Sequence, residues 1–169
     1  MTDDCKKTRG EPIAALRYRQ YEESILAVLR YYCANFAAPE RQSWIAAISV
    51  ALSDFGSARG PDVAVAALGV MQSIRRTRRS NFVFNCADCS VCSTFVTGHE
   101  RLLMSAVRAV SRGRRDAAMA HATLLCEGNE AKAVVLAIEV LIDRIFPEET
   151  DGAKRRFSKE LESVPSAGS

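Results

Sequence analysis

Histidine is nearly missing from this chain: among 169 residues there are two, His99 and His121. That leaves most metal-hydrolase designs short of ligands, and no Glu-x-x-His pair is present for a di-iron bundle. His99-Glu100 starts like a zinc-protease motif, but Leu102 and Leu103 stand where it should continue. A Gly-x-Ser-x-Gly elbow, a glycine-rich phosphate loop and a dinucleotide fingerprint are all missing too. Glu22-Glu23, Glu148-Glu149 and Asp54 make no paired-carboxylate set with a histidine. The chain reads as a binding or regulatory protein sooner than as an enzyme.

Long apolar runs are also missing. None reaches the roughly 18 residues that a membrane span needs. Met1 to Glu11 is polar, carries charges of both signs and leads into no apolar stretch, unlike a secretory signal. A cytoplasmic location is the expectation. Charge of one sign is not in large excess either: 23 basic against 20 acidic residues leave a net +3, so partner chemistry must be read from where the charges sit. Proline and glycine are sparse, at 5 and 9 residues, while alanine is plentiful; both favour closely packed helices.

What is present is helical periodicity. Hydrophobic residues make up 48% of the chain, enough for a real core in one domain. Residues 1–11 and the polar segment 147–169 read as flexible ends, with a helical domain over 12–146 between them. A first helix is predicted from Pro12 to Phe36, with Tyr18, Tyr21, Ile25, Val28, Leu29, Tyr32 and Phe36 inward and Arg19, Glu23 and Arg30 opposite. Its tyrosines could equally form a dimer face. After Pro39, a second helix carries Trp44, Ile48, Leu52 and Phe55 at threes and fours, and Gly56, Gly60 and Pro61 end it. A third carries Val63, Ala67, Val70, Met71 and Ile74. Three more are predicted over 99–112, 114–127 and 130–146, the last with Val134, Ile138, Leu141 and Ile145 inward. No internal repeat is evident. The expected fold is all-α, a compact bundle of about six helices with one irregular, cysteine-rich connector at 80–98 holding a short strand or hairpin.

That connector holds Cys86-x-x-Cys89-x-x-Cys92, three of the six cysteines. Two residues between thiolates let a tight turn aim both sulfurs at one ion, so a metal is predicted here. An iron–sulfur cluster is one reading: the spacing matches the start of a ferredoxin run, although Val96 and Thr97 replace its fourth cysteine and proline. Zinc is the other, with His99, His121 or Cys126 as fourth ligand. Plain buried thiols and thiol-redox chemistry are the competing readings. Two arginine sets form a further candidate. Arg75, Arg76, Arg78 and Arg79 crowd one helix end, and Arg101, Arg108, Arg112 and Arg115 share a face around helix four. Should they converge, they would hold phosphates of a nucleic acid; otherwise they are solvated helix surfaces. The expected partners are another protein or a second copy, with nucleic acid as the alternative.

Overall fold

The computed structural model describes residues 10–147. Its elements, in chain order, are β1 (Glu11–Pro12), α1 (Ile13–Leu16), α2 (Gln20–Ala37), α3 (Trp44–Thr77), β2 (Phe95–Val96), α4 (Gly98–Ser111), α5 (Arg115–Leu125) and α6 (Lys132–Ile145). Short 3-10 turns lie at Pro39–Arg41 and Cys92–Thr94. The all-α bundle of about six helices is therefore what the chain forms. Residues 1–9 and 148–169, most of the segments 1–11 and 147–169 read as flexible ends, lie outside the described residues, while Glu11 of the first segment is held in β1.

The helix predicted over 12–36 is two helices. Arg17 takes a left-handed conformation (φ 49°), which ends α1 after one turn. A new start then follows, in which the Arg19 backbone N–H donates to Glu22 Oε2 at 2.7 Å. Glu22 is the third residue of α2, so its carboxylate answers one of the unpaired donors at that terminus. Pro12 sits just ahead of α1 and pairs with Phe95, while Glu11 pairs with Val96, in an antiparallel two-strand ribbon. Gly10 makes this approach possible: at φ +131° its missing Cβ would run into the Val96 carbonyl.

The predicted second and third helices are the two arms of α3. Gly56 divides them with φ 79° and ψ 164°, a conformation only glycine takes readily. Four residues on, Gly60 closes the corner, since a Cβ there would lie 2.7 Å from the Ala51 carbonyl oxygen and from Leu52 Cα. Pro61 falls in the first turns of the second arm, where a missing N–H costs little.

This tight corner decides which face of the first arm is buried. Ala47, Ala51 and Phe55 face the core, and the large residues Trp44, Ile45 and Leu52 stay exposed. Of the predicted stripe Trp44, Ile48, Leu52 and Phe55, Phe55 is buried and Ile48 packs against the core, while Trp44 and Leu52 are corrected to exposed positions. Alanines let the arm lie close, and bulk at those positions would hold it off. The second arm buries Val63, Ala67, Val70, Met71 and Ile74 as predicted. It packs on α2 along one side and on α6 along the other, and α4 packs mainly on α5. On α6, Val134, Ile138, Leu141 and Ile145 all lie in the core.

α2 and α4 are joined by two guanidinium–carboxylate pairs. Arg108 Nε meets Glu22 Oε1 at 2.7 Å and its Nη2 meets Oε2 at 2.9 Å. Arg30 Nε meets Glu100 Oε1 at 2.7 Å and its Nη2 meets Oε2 at 3.1 Å. Both are two-pronged, the geometry that suits arginine and not lysine. Because Glu22 pairs with Arg108 and Arg30 with Glu100, the two helices run antiparallel. Each glutamate is also the third residue of its helix, bonded by the backbone N–H three residues before it: Arg19 for Glu22 and Thr97 for Glu100. In both helices the glutamate at the third position is followed eight residues on by an arginine, Arg30 in α2 and Arg108 in α4.

Candidate functional site

The cysteine segment was the leading site candidate, and its thiols do not converge. Cys92 is 4% exposed and belongs to the interior, while Cys86 is exposed. Cys89 Sγ accepts the Cys92 backbone N–H at 3.3 Å, and Cys89 O accepts from Ser93 N at 2.9 Å. The turn thus uses its middle cysteine to close itself. Among the described residues, no three cysteine, histidine or acidic side chains form a group that could hold a metal ion. The zinc and iron–sulfur readings are overturned on that geometry, and with them the ligand set Cys86, Cys89, Cys92 plus a fourth.

The fourth-ligand candidates have other roles. His99 Nδ1 accepts the Val83 backbone N–H at 2.9 Å, which leaves the proton of the neutral ring on Nε2. Burial lowers the His99 pKa, and the nearby Arg78 guanidinium, whose Nη2 is 3.3 Å from Nε2, lowers it further. Cys126 is fully buried at the end of α5, and its thiol pKa is raised by that burial. His121 is half-buried on α5. Cys33 is buried on α2, where loss of solvent pushes its thiol well above the usual range.

Residues 80–98 are held instead by the Arg30–Glu100 pair. Arg30 Nη1 donates to Ser93 O at 2.9 Å and Nη2 donates to Phe95 O. Glu100 Oε1 accepts the Asn85 N–H at 3.1 Å, and Asn85 Nδ2 donates to Phe95 O at 2.8 Å. Thr97 Oγ1 donates to Val83 O at 2.7 Å. Arg30, Asn85, Thr97 and Glu100 are all buried, and the set replaces solvent for most of one another's polar groups, with Asn85 Oδ1 left without a partner among the described residues. The sequence reading placed Arg30 on the solvated face of its helix and did not single out Glu100 for this role. The repeated Glu-x7-Arg spacing, each glutamate three residues past a helix start, was the available signal.

The arginines divide into two groups. Arg101 pairs with Glu11 at 3.7 Å, Arg115 with Glu139 at 2.7 Å, and Arg108 with Glu22. Arg108 also donates to the Leu16 and Arg17 carbonyls and lies 5.0 Å from the Tyr18 ring, so it fastens the α1–α2 break. Arg112 is exposed at the end of α4. Arg78 is a tie between elements: it donates to Leu125 O and Ser80, and pairs with Glu127 at 3.1 Å. Glu127 is held down to about 2 by hydrogen bonds from the Ser80 hydroxyl and the Arg79 and Ser80 N–H groups. Arg75, Arg76 and Arg79 have no carboxylate partner among the described residues. The structure therefore brings Arg75, Arg78 and Arg79 to one cavity, and it does not spread the eight arginines into one phosphate-binding field.

Two hollows flank Phe36 at the end of α2. The first, of about 570 Å³, lies between that end, the last turns of α3 and residues 80–84, with Arg75 and Arg79 in its lining. The second, of about 420 Å³, is a groove between α2 and both arms of α3. Trp44, Ile48, Val65 and Leu68 line it, with Trp44 44% and Val65 70% exposed. Arg75 stacks 4.0 Å from the Phe36 ring and so stands beside both. Among the described residues no helix is long and apolar enough to cross a membrane. What the geometry defines is a small compact helical domain with an open apolar groove. No family model matches the chain, and no curated protein or solved structure matches it either.

Proposed function

We propose that this is a protein-binding, regulatory domain whose α3 groove takes an amphipathic helix from a partner, apolar on one face and acidic at one end. The observation that carries this reading is the exposure of Trp44 and Val65 on opposite arms of α3 around one groove. Apolar groups grouped in this way are the usual mark of an association site. Helix-in-groove binding needs anchors spaced at threes and fours, and Pro61, Val65, Leu68 and Gln72 are so spaced along one wall. The acidic end follows from charge: Arg75, Arg76 and Arg79 lie beyond Gln72 at the end of that wall, without carboxylate partners among the described residues.

Trp44 is the chain's single tryptophan, so its emission reports on the groove alone. The test titrates the protein with two synthetic helical peptides that share a leucine face, one ending in glutamates and the other in lysines. The expected result is a saturable blue shift with the glutamate peptide, at least tenfold weaker with the lysine peptide, and lost in Val65→Glu. Equal response to both peptides, or no shift with either, overturns the reading. So does sedimentation showing a stable dimer that Val65→Glu disperses, which would assign the groove to a second copy.

A further inference from the structure

We infer that the 570 Å³ cavity beside Phe36 is a second site that binds a small aromatic anion, a flat apolar body bearing one carboxylate or phosphate. Its walls come from three elements. α2 gives Phe36 and the buried Cys33, α3 gives Met71 and Ile74, and the chain after α3 gives Phe82 and Phe84. Ring faces and soft aliphatic groups of this kind suit a planar body, and the volume falls within the roughly 300–1,000 Å³ of small-molecule pockets. The charged groups are of one sign, Arg75, Arg78 and Arg79, and Ser80 and Asn81 are the other polar residues of the lining. Arg78 is already spent on Leu125 O, Ser80 and Glu127. That leaves Arg75 and Arg79, both exposed, as the cations at the rim.

Arg75 is already oriented. It lies 4.0 Å over Phe36 and shares a 3.4 Å hydrogen bond with Gln72 Oε1, which uses few of its five donors. A guanidinium stacked on a ring keeps its edge free for an oxygen anion, and it loses little freedom on binding one. Ser80, next to Arg79, is fixed by Glu127, whose carboxylate binds the Arg79 and Ser80 N–H groups. The two rim cations are thus attached to a braced frame. A cation pair above an apolar, ring-lined hollow selects against neutral ligands, which gain no charge contact, and against inorganic phosphate, which leaves the walls empty.

The cavity shares Phe36 with the groove's lining, and Arg75 and Arg79 also serve the acidic end of the groove's partner, so the two readings are separated at Val65, which lines the groove alone. The probes are 8-anilinonaphthalene-1-sulfonate and its neutral relative N-phenyl-1-naphthylamine, followed by fluorescence on the full chain. Arg75→Gln with Arg79→Gln is expected to weaken the sulfonate at least tenfold and to change the neutral probe less than twofold. Val65→Glu is expected to leave both unchanged. Calorimetry with 1-naphthoate and 1-naphthyl phosphate then tells which head group the rim prefers, and inorganic phosphate alone should not compete. Both arginines are exposed, so an unchanged circular dichroism melt will show that the double variant is folded. Sulfonate binding that survives loss of both arginines overturns the proposal, as does equal loss of the neutral probe. Binding abolished by Val65→Glu overturns it too, because the dye would then sit in the groove.

Discussion

Two glutamates and two arginines carry most of the polar burden at the α2–α4 contact, and the pairs differ in burial. Arg30 and Glu100 side chains are 4% and 2% exposed, whereas Arg108 is 24% exposed against a Glu22 at 1%. Glu100→Gln leaves a buried guanidinium without its counter-charge, which costs about 3–5 kcal/mol. Arg108→Gln should cost less, because water reaches that pair and burial alone would raise the Glu22 carboxyl. Its hydrogen bonds from Arg108 and the Arg19 N–H instead hold it below the usual range. Urea denaturation of both variants checks the order, and similar losses would mean that burial is not the deciding factor. Hydrogen exchange should show residues 83–97 opening first in Glu100→Gln, since the Asn85 and Thr97 N–H groups lose a charged acceptor and Arg30, which holds Ser93 and Phe95, loses its counter-charge.

His99 makes stability depend on pH in a definite direction. Its folded pKa lies below the ordinary 6.5, because burial and Arg78 both disfavour the charged ring. As pH falls below about 6.5 the unfolded chain takes up the proton before the folded one does, so stability declines until the folded pKa is passed. Above 6.5 the contribution is fully present. Chemical denaturation at pH 7.5 and pH 5 should show that loss in the native chain and a flatter profile in His99→Gln. Glu22 and Glu127 add their losses only at lower pH, since both are held below their ordinary values.

Among the elements, those with one clean apolar face could be read from sequence. α6 and the second arm of α3 present branched and long residues at threes and fours, and those residues are buried as expected. The first arm misled because its largest residues are not its core residues. Periodicity places Trp44, Ile48 and Leu52 on one face, but nothing in it says that Gly60 must lie against Ala51 and Leu52. That contact turns the alanine face inward. The break at Arg17 was hidden for a related reason, since it depends on Arg108, 91 residues away, holding the Leu16 and Arg17 carbonyls. The cysteines misled by spacing alone: a CxxC pair can aim two sulfurs together, but here the backbone N–H of Cys92 claims Cys89 first. Gly60→Ala should cost about 1–3 kcal/mol, because the arms must part to admit a methyl group. Gly56→Ala should cost a similar amount through its backbone conformation, at about 1–3 kcal/mol. The two differ in kind: Gly60→Ala should also change Trp44 emission by opening the groove, whereas Gly56→Ala meets no neighbour and should leave that emission unchanged. Unfolding curves and native emission spectra together test both.

For the molecule as a whole, the outward apolar groups on α3 are a cost borne in solution without a return in the folded chain. Val65 is 70% exposed and Ile45 is 49% exposed, so neither removes much apolar surface from water when the chain folds. Substitutions at such surface positions ordinarily change stability by under about 0.5 kcal/mol. Val65→Glu and Ile45→Gln should therefore leave the urea midpoint nearly unchanged, alone and together. If Trp44 and Leu52 formed the inner stripe that their spacing suggests, Trp44→Ala would instead resemble a large core truncation, at about 3–5 kcal/mol. Partial exposure places it well below that range. Ala47→Val offers the opposite case, since Ala47 is fully buried against the bundle and an added pair of methyl groups must displace its neighbours, at about 1–3 kcal/mol. A measured ranking with Ala47→Val more damaging than Trp44→Ala would establish that the alanine face, not the aromatic one, closes the core. The reverse ranking would put Trp44 inside and remove the groove on which partner binding depends.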